Sequence, residues 1–277
     1  MTLGIILFFA LVLFILYNII DIVRIIIRWY FGDYANKYLL VARLDPLYKK
    51  PMEKYLRFYQ QLNTADKGIF EKRVQKFINQ KQFIAREFDR VTDEMKALIA
   101  GAAIQLTFGH PSIYLKHFNR ILIYKDTYYS EISQRYHKGE VNPGGAIVLS
   151  WKNFVDGFID SDDGVNLGLH EMAHALRLEN AITNEEYGFL NDDILKKWTD
   201  LCYREIEKMN DGLSDFFRPY AATDSQEFFA VAVENFFERP QKFHDWDNLE
   251  LYATLAGGRI LNQDLLTRSK WVNGRMM

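Results

Sequence analysis

The chain has a single cysteine among 277 residues, Cys202, so no internal disulfide is available and no cysteine-type metal cluster can form. A lone thiol fits a reducing compartment. The chain also lacks a block of one charge: 34 basic and 36 acidic residues give a net charge of −2, and the basic residues form no long run. There is therefore no electrostatic case for nucleic acid as a partner. No segment repeats and none is of low complexity, which argues against solenoid and linker-dominated architectures. With 49% apolar residues, the chain can bury one sizeable core.

The amino terminus is short of charge altogether. Residues 3–20 are almost wholly apolar, with Gly4 neutral and Asn18 the one amide. As a helix they span roughly 27 Å, close to the hydrocarbon thickness of a bilayer. No Lys or Arg precedes the run and no small-residue cleavage site follows it, so a transmembrane helix is expected rather than a secretory signal. Arg24, Arg28 and Lys37 follow it, and Trp29, Tyr30 and Phe31 suit an interface, which puts the rest of the chain on the cytoplasmic side. Residues 1–31 are thus expected to be a membrane anchor with an interfacial extension in contact with the lipid bilayer. Residues 32–51 read as a linker, because Asp45-Pro46-Leu47-Tyr48-Lys49-Lys50-Pro51 combines prolines and charges. Residues 52–277 have the length of one enzyme domain.

Within that domain the hydrophobic period is helical from residue 55 to about 84, with a break near Asn63-Thr64. Phe70, Val74, Phe77 and Ile78 share one face, and Lys72, Arg73 and Lys76 read as the solvated face opposite. A second helix runs from Thr92 to Thr107, apolar enough at Leu98, Ile99, Ala102, Ala103 and Leu106 to be central. Residues 145–149, after Asn142-Pro143-Gly144, read as a short strand. The stretch from 185 to about 208 is charged and helical.

His170-Glu171-Met172-Ala173-His174 carries the chemistry. On a helix, two imidazoles four residues apart lie one turn above the other, so both can reach one tetrahedral zinc ion at about 2.0 to 2.1 Å. Glu171 stays near the ion without binding it and is able to take the proton of an activated water. On a helical wheel Val165, Leu169, Met172, Ala173 and Leu176 form the apolar arc, and the two histidines sit off it. Gly164 and Asn166 allow a turn before this helix, which is expected over residues 165–178. The alternative is an exposed histidine pair on a surface helix.

A hydrolytic zinc site needs a third protein ligand. The helix expected within residues 220–240 supplies carboxylates on one face, at Glu227, Glu234 and Glu238, together with Val231. Glu227 has a competing role: with Asp224 as cap, it stands where the third helical residue of a capping box would be. Spacing leaves the two roles open.

Several separated segments resemble one family, the zinc-dependent peptidases related to Mlc titration factor (MtfA). They are Gly164-Val165-Asn166-Leu167-Gly168-Leu169 running into His170-Glu171-Met172-Ala173-His174, Pro219-Tyr220-Ala221-Ala222-Thr223, Glu227-Phe228-Phe229-Ala230-Val231, Val91-Thr92-Asp93-Glu94-Met95, Arg120-Ile121-Leu122-Ile123-Tyr124, and Gly139-Glu140 with Gly144-Gly145-Ala146-Ile147-Val148-Leu149-Ser150-Trp151. The resemblance implies an α+β, gluzincin-type metallopeptidase core like the catalytic domain of anthrax lethal factor. It also implies Zn2+ held by His170, His174 and Glu227, with Glu171 as base and Tyr220 as the oxyanion's hydrogen-bond donor. The chain departs from the family after the second histidine, reading Ala175-Leu176-Arg177 where relatives have Lys-Leu-Asp. A carboxylate that orients a ligating imidazole is thereby displaced, and Glu179 or Glu234 is expected to replace it. Glu234 is also a rival third ligand.

The expected activity is peptide-bond hydrolysis on a peptide or protein substrate. In such enzymes the substrate commonly adds as a strand to a free sheet edge. Residues 145–149 are the expected edge, with Gly145 and Ala146 as contacts. The rival is a zinc-bearing regulatory protein that docks a partner such as a transcriptional repressor with little or no catalysis.

Overall fold

The computed structural model describes residues 16–19, 23, 44–131, 134–182, 192–257 and 260–263. The chain divides into two units, Met1–Arg43 and Leu44–Met277. In the first, the described residues 16–19 and 23 are helical. The rest of the expected membrane span lies outside the described residues. Among the described residues, no helix is long and apolar enough to cross a membrane.

The second unit begins with a correction. The stretch expected as a linker starts helix α1 (Pro46–Tyr55), with Asp45 as its cap, the Asp45 carboxylate accepting from Leu47 N at 2.9 Å. Pro46 occupies the first helical position, where its missing N–H costs nothing, so the Asp-Pro pair marks a start rather than a hinge. Pro51 and Met52 are buried in it. The next helices, α2 (Arg57–Gln61) and α3 (Thr64–Gln80), are separated where the sequence indicated, at Asn63, whose side chain caps α3. The helical expectation runs too far beyond α3, because Gln82–Ala85 is strand β1.

Helix α4 (Asp93–Leu106) is the central one. Thr92 caps it, and Ala97 through Leu106 are all buried. Its C-terminal end explains a second correction. Arg73 on α3, expected in solvent, is 4% exposed. Its guanidinium donates to the carbonyls of Thr107, Phe108, His110 and Ile113 at 2.9 to 3.1 Å. A fixed cation gathers the carbonyls at the end of α4 and in the following turn, where helical bonding runs out. Lys72 is exposed as expected, and Lys76 lies over the Tyr114 ring.

Strands β2 (Arg120–Tyr124), β5 (Gly139–Asn142) and β6 (Ala146–Ser150) join β1 in a four-stranded sheet of order β1-β2-β6-β5. The first three pair in parallel, and β5 pairs antiparallel to β6. Strands β3 (Tyr128–Ser130) and β4 (Arg135–His137) form a separate hairpin. This overturns the placement of the sheet edge at residues 145–149: β6 is bonded on both sides and wholly buried, and β5 is the edge on that side, with β1 at the other. Gly145 (φ +88°) is the turn between them, and its carbonyl accepts from Arg120 N. An unbroken apolar run such as Ile147-Val148-Leu149 reads as an interior strand for the same reason.

Helices α5 (Trp151–Ile159), α6 (Leu167–Ile182), α7 (Asp192–Asn210), α8 (Ser225–Glu238), α9 (Pro240–Asp245) and α10 (Leu249–Gly257) complete the described part, with a short 3-10 turn at Pro219–Ala222. Cys202 is buried on α7. The molecule is a mixed α+β protein in which α6 packs between α4, α8 and the β5–β6 end of the sheet.

Candidate metal centre

Helix α6 starts two residues later than its pattern indicated. Gly164 adopts a φ of +76°, Asn166 turns its side chain to accept from Leu169 N at 3.0 Å, and the helix begins at Leu167. Val165 is left outside the apolar stripe, 48% exposed. Leu169, Met172, Ala173 and Leu176 are buried as the wheel requires.

Helix α8 lies along α6, and its carboxylates match the α6 polar residues in reverse order. Glu227 meets His174 and His170, Glu234 meets His170, and Glu238 meets Asn166. The helices are therefore antiparallel, and the stripe at 227, 234 and 238 faces the metal helix.

Three ligand atoms converge there. The Nε2 atoms of His170 and His174 are 3.1 Å apart, and Glu227 Oε2 lies 3.1 Å from the first and 3.5 Å from the second. A tetrahedral zinc ion with bonds of about 2.0 to 2.1 Å keeps its ligands about 3.3 Å apart, so the set fits. Glu227 Oε2 is buried with no well-directed hydrogen bond. The capping-box role fails for Glu227. Asp224 does cap α8, its carboxylate accepting from Gln226 N and Glu227 N, but the Glu227 side chain turns to the histidines. Among the described residues these three are the group able to hold a metal.

Charges around the cluster favour a cation. Burial raises the Glu227 carboxyl, but contact with His170 and His174 outweighs it and holds the group well below the usual carboxylate range. Burial likewise disfavours a charged His170, yet Glu227 and Glu234 raise it to about 10. Glu171, buried between them, is pushed up by desolvation to about 7, against the pull of both histidines.

Glu234 resolves the choice left by the altered 175–180 stretch. Its Oε1 is 2.6 Å from His170 Nδ1, so that nitrogen donates there and the ring is held with Nε2 turned toward the cluster. Arg218 grips the same carboxylate with both terminal nitrogens at 2.8 Å, and Asn166 N donates to it at 2.6 Å. Glu234 is thus committed to orienting an imidazole and is not a rival ligand. Glu179 is remote in function: it accepts from Lys116 N and supports the turn before β2. Glu234→Gln is expected to weaken zinc binding by about 10- to 100-fold without abolishing it. Competition with a chromogenic chelator measures this, and an unchanged affinity would refute the role.

Glu238 extends the network, accepting from Asn166 Nδ2 at 3.0 Å. Burial, with Asp163 and Glu234 nearby, pushes its carboxyl up to about 8. The folded state then holds a proton that the unfolded chain releases near its ordinary value. This contribution to stability is full at low pH and lost as pH rises through about 8. Glu238→Gln is expected to unfold at a temperature that gains on the parent from pH 5 to about pH 8 and then levels off. Parallel curves over that range would show the carboxyl is not protonated in the fold.

A cleft of about 480 Å³ opens onto the cluster, walled by Lys138 and Gly139 on the β5 side, Asn153 on α5, Asp163, Arg218 and Tyr220. Tyr220 stands on the 3-10 turn, 50% exposed, its ring centroid 6.1 Å from that of His170. Partial burial and the Glu227 carboxylate raise its hydroxyl to about 12, so it is a donor at neutral pH. Gly145 and Ala146 do not line this cleft, since their strand is internal. Arg218 and Gly139 were given no part in the site from sequence, and Asn166 only the turn before the helix.

The sequence model of the family described as "Glucose-regulated metallo-peptidase M90" matches residues 34–257. An uncharacterised protein of Synechocystis is 29% identical over 264 residues, 89% of this chain and 94% of its own length. The proteins named Mlc titration factor A of Salmonella agona and Cronobacter sakazakii are each 28% identical over 191 residues, 61% of this chain and 69% of theirs. With that match over most of its length and the His170, His174 and Glu227 cluster inside it, the chain belongs to the glucose-regulated metallo-peptidase M90 family.

Proposed function

We propose that this protein is a zinc-dependent peptidase of gluzincin type, with His170, His174 and Glu227 holding the metal. The observation that carries the reading is the convergence of those three ligand atoms beside a buried carboxylate that takes no part in the cluster. Zinc bound there supplies Lewis-acid polarisation of the scissile carbonyl and of a neighbouring water. Glu171 accepts a proton from that water and returns it to the departing amine. Tyr220 donates its hydroxyl proton in a hydrogen bond to the oxygen that becomes negative. Glu234, clamped by Arg218, holds His170 in one tautomer throughout.

The substrate is a peptide lying along the free edge of β5. Ser150 N donates to Lys138 O at 2.7 Å, which makes 138 and 150 a bonded pair of the ladder. By antiparallel alternation, the peptide groups of Gly139 and Val141 then point away from β6 and into reach of an added strand. The test is cleavage of a mixed peptide library by the purified chain, lost on chelation and recovered with zinc. A chain that carries zinc and cleaves nothing would favour the second reading.

That second reading is a regulatory protein that binds a partner such as a transcriptional repressor. It is supported by the name Mlc titration factor A of two relatives and by the altered 175–180 stretch. The membrane anchor rests on the apolar run at residues 3–20, and the placement of the catalytic unit on the cytoplasmic side rests on Arg24, Arg28 and Lys37 after it. Release of the full-length chain from membranes by alkaline carbonate would remove the anchor.

A further inference from the structure

Gly139 begins the edge strand, and its backbone gives no reason for glycine. It is absent from the residues with positive φ, so any amino acid could adopt its conformation. What is special is the space beside it. A Cβ built on Gly139 would stand 2.4 Å from Glu171 Oε1, 2.5 Å from Cδ and 2.6 Å from Cγ. No real side chain tolerates such distances, so one partner would have to move.

Glu171 has little freedom to withdraw. It is 5% exposed on α6, between Met172, which is fully buried, and His170, whose ring is held by Glu234. The residue across the ladder from Gly139 is Leu149, also fully buried, so the strand cannot retreat inward either. The carboxylate therefore occupies the volume that a side chain at 139 would fill.

We infer that Gly139 is a positioning residue for the general base: its missing side chain is the slot that seats the Glu171 carboxylate against the strand that holds the peptide. This deepens the proposed peptidase reading and rests on it for its catalytic meaning. One strand then does two things. Its outward peptide groups register the substrate, and its glycine sets how far the proton acceptor lies from the bond being cut.

The test is a double-mutant cycle of Gly139→Ala, Glu171→Ala and the two combined, each loaded with zinc. The Glu171→Ala change removes Cγ, Cδ and Oε1, the three atoms that a side chain at 139 would meet. Alone, Gly139→Ala is expected to lower kcat about 100-fold, the usual effect of displacing a catalytic group by about 1 Å, while KM changes little. In the Glu171→Ala background, whose residual rate no longer depends on that carboxylate, the same change is expected to cost less than about threefold, the non-additivity of groups in contact. Equal losses in both backgrounds, or a Gly139→Ala loss confined to KM, would overturn the inference. Thermal unfolding of the four proteins runs the same cycle without catalysis: Gly139→Ala lowers the midpoint beside Glu171 and not in the Glu171→Ala background. Equal lowering in both also overturns it. If the parent cleaves no peptide, the peptidase reading fails while the unfolding cycle still decides whether position 139 sets the place of Glu171.

Discussion

Glu171→Gln is expected to keep one zinc per chain and to lower kcat/KM for peptide cleavage by about 10²- to 10⁴-fold, the range for losing a general base. The amide matches the carboxylate in shape, so it still fits the space beside Gly139 and leaves the helix undisturbed. It makes no contribution to the ligand cluster, which consists of His170, His174 and Glu227. What disappears is the ability to accept a proton. Steady-state cleavage of a fluorogenic peptide, with metal content measured on the same sample, separates the two effects. A variant that retains zinc and cleaves like its parent would show that another group is the base. Retention of a cellular role by that variant would favour partner binding over hydrolysis.

Removing a ligand acts on a different quantity. Glu227→Ala and His174→Ala are each expected to lose stoichiometric zinc after dialysis. Each leaves two donors, and for Glu227→Ala it also deletes the anion that His170 and His174 face at 3.1 and 3.5 Å. The parent should gain stability on adding zinc, about 4 kcal/mol at a free concentration 1,000 times the dissociation constant. The variants should gain little at that concentration, and their unfolding temperature should become insensitive to chelator. Glu234→Gln lies between these extremes, because it disturbs the orientation of one imidazole and removes no ligand. A Glu227→Ala protein that holds zinc as tightly as its parent would require a different third ligand, and the assigned centre would fail.

Local signals were reliable where one helix contains all the information. The His170 and His174 pair, the break at Asn63-Thr64, the helix opening at Thr92, the cap at Asp224 and the buried face of α6 are consequences of side chains spaced along one element. The Asp45-Pro46 pair was legible too, but it was read as a linker when the same residues are a start signal with a helix behind them. The errors at Arg73 and at the sheet edge share another cause. Whether Arg73 meets water or the carbonyls at the end of α4 depends on a segment more than thirty residues away. Whether residues 145–149 are an edge depends on β5 pairing back onto them.

The roles of the three α8 carboxylates divide along the same line. Their seven- and four-residue spacing placed Glu227, Glu234 and Glu238 on one face and said nothing of which would bind metal. By itself the sequence determined a histidine pair on a helix, a carboxylate between the two, a carboxylate stripe and a chain mostly of helices with a short sheet. Only the tertiary structure decided that Glu227 meets the histidine pair, that Glu234 holds His170, that β5 and not β6 is an edge strand, and that Gly139 makes room for Glu171. The physical reason is range: periodicity and capping act over a few residues, whereas ligation, edge exposure and close packing are set by where distant elements come to rest against one another.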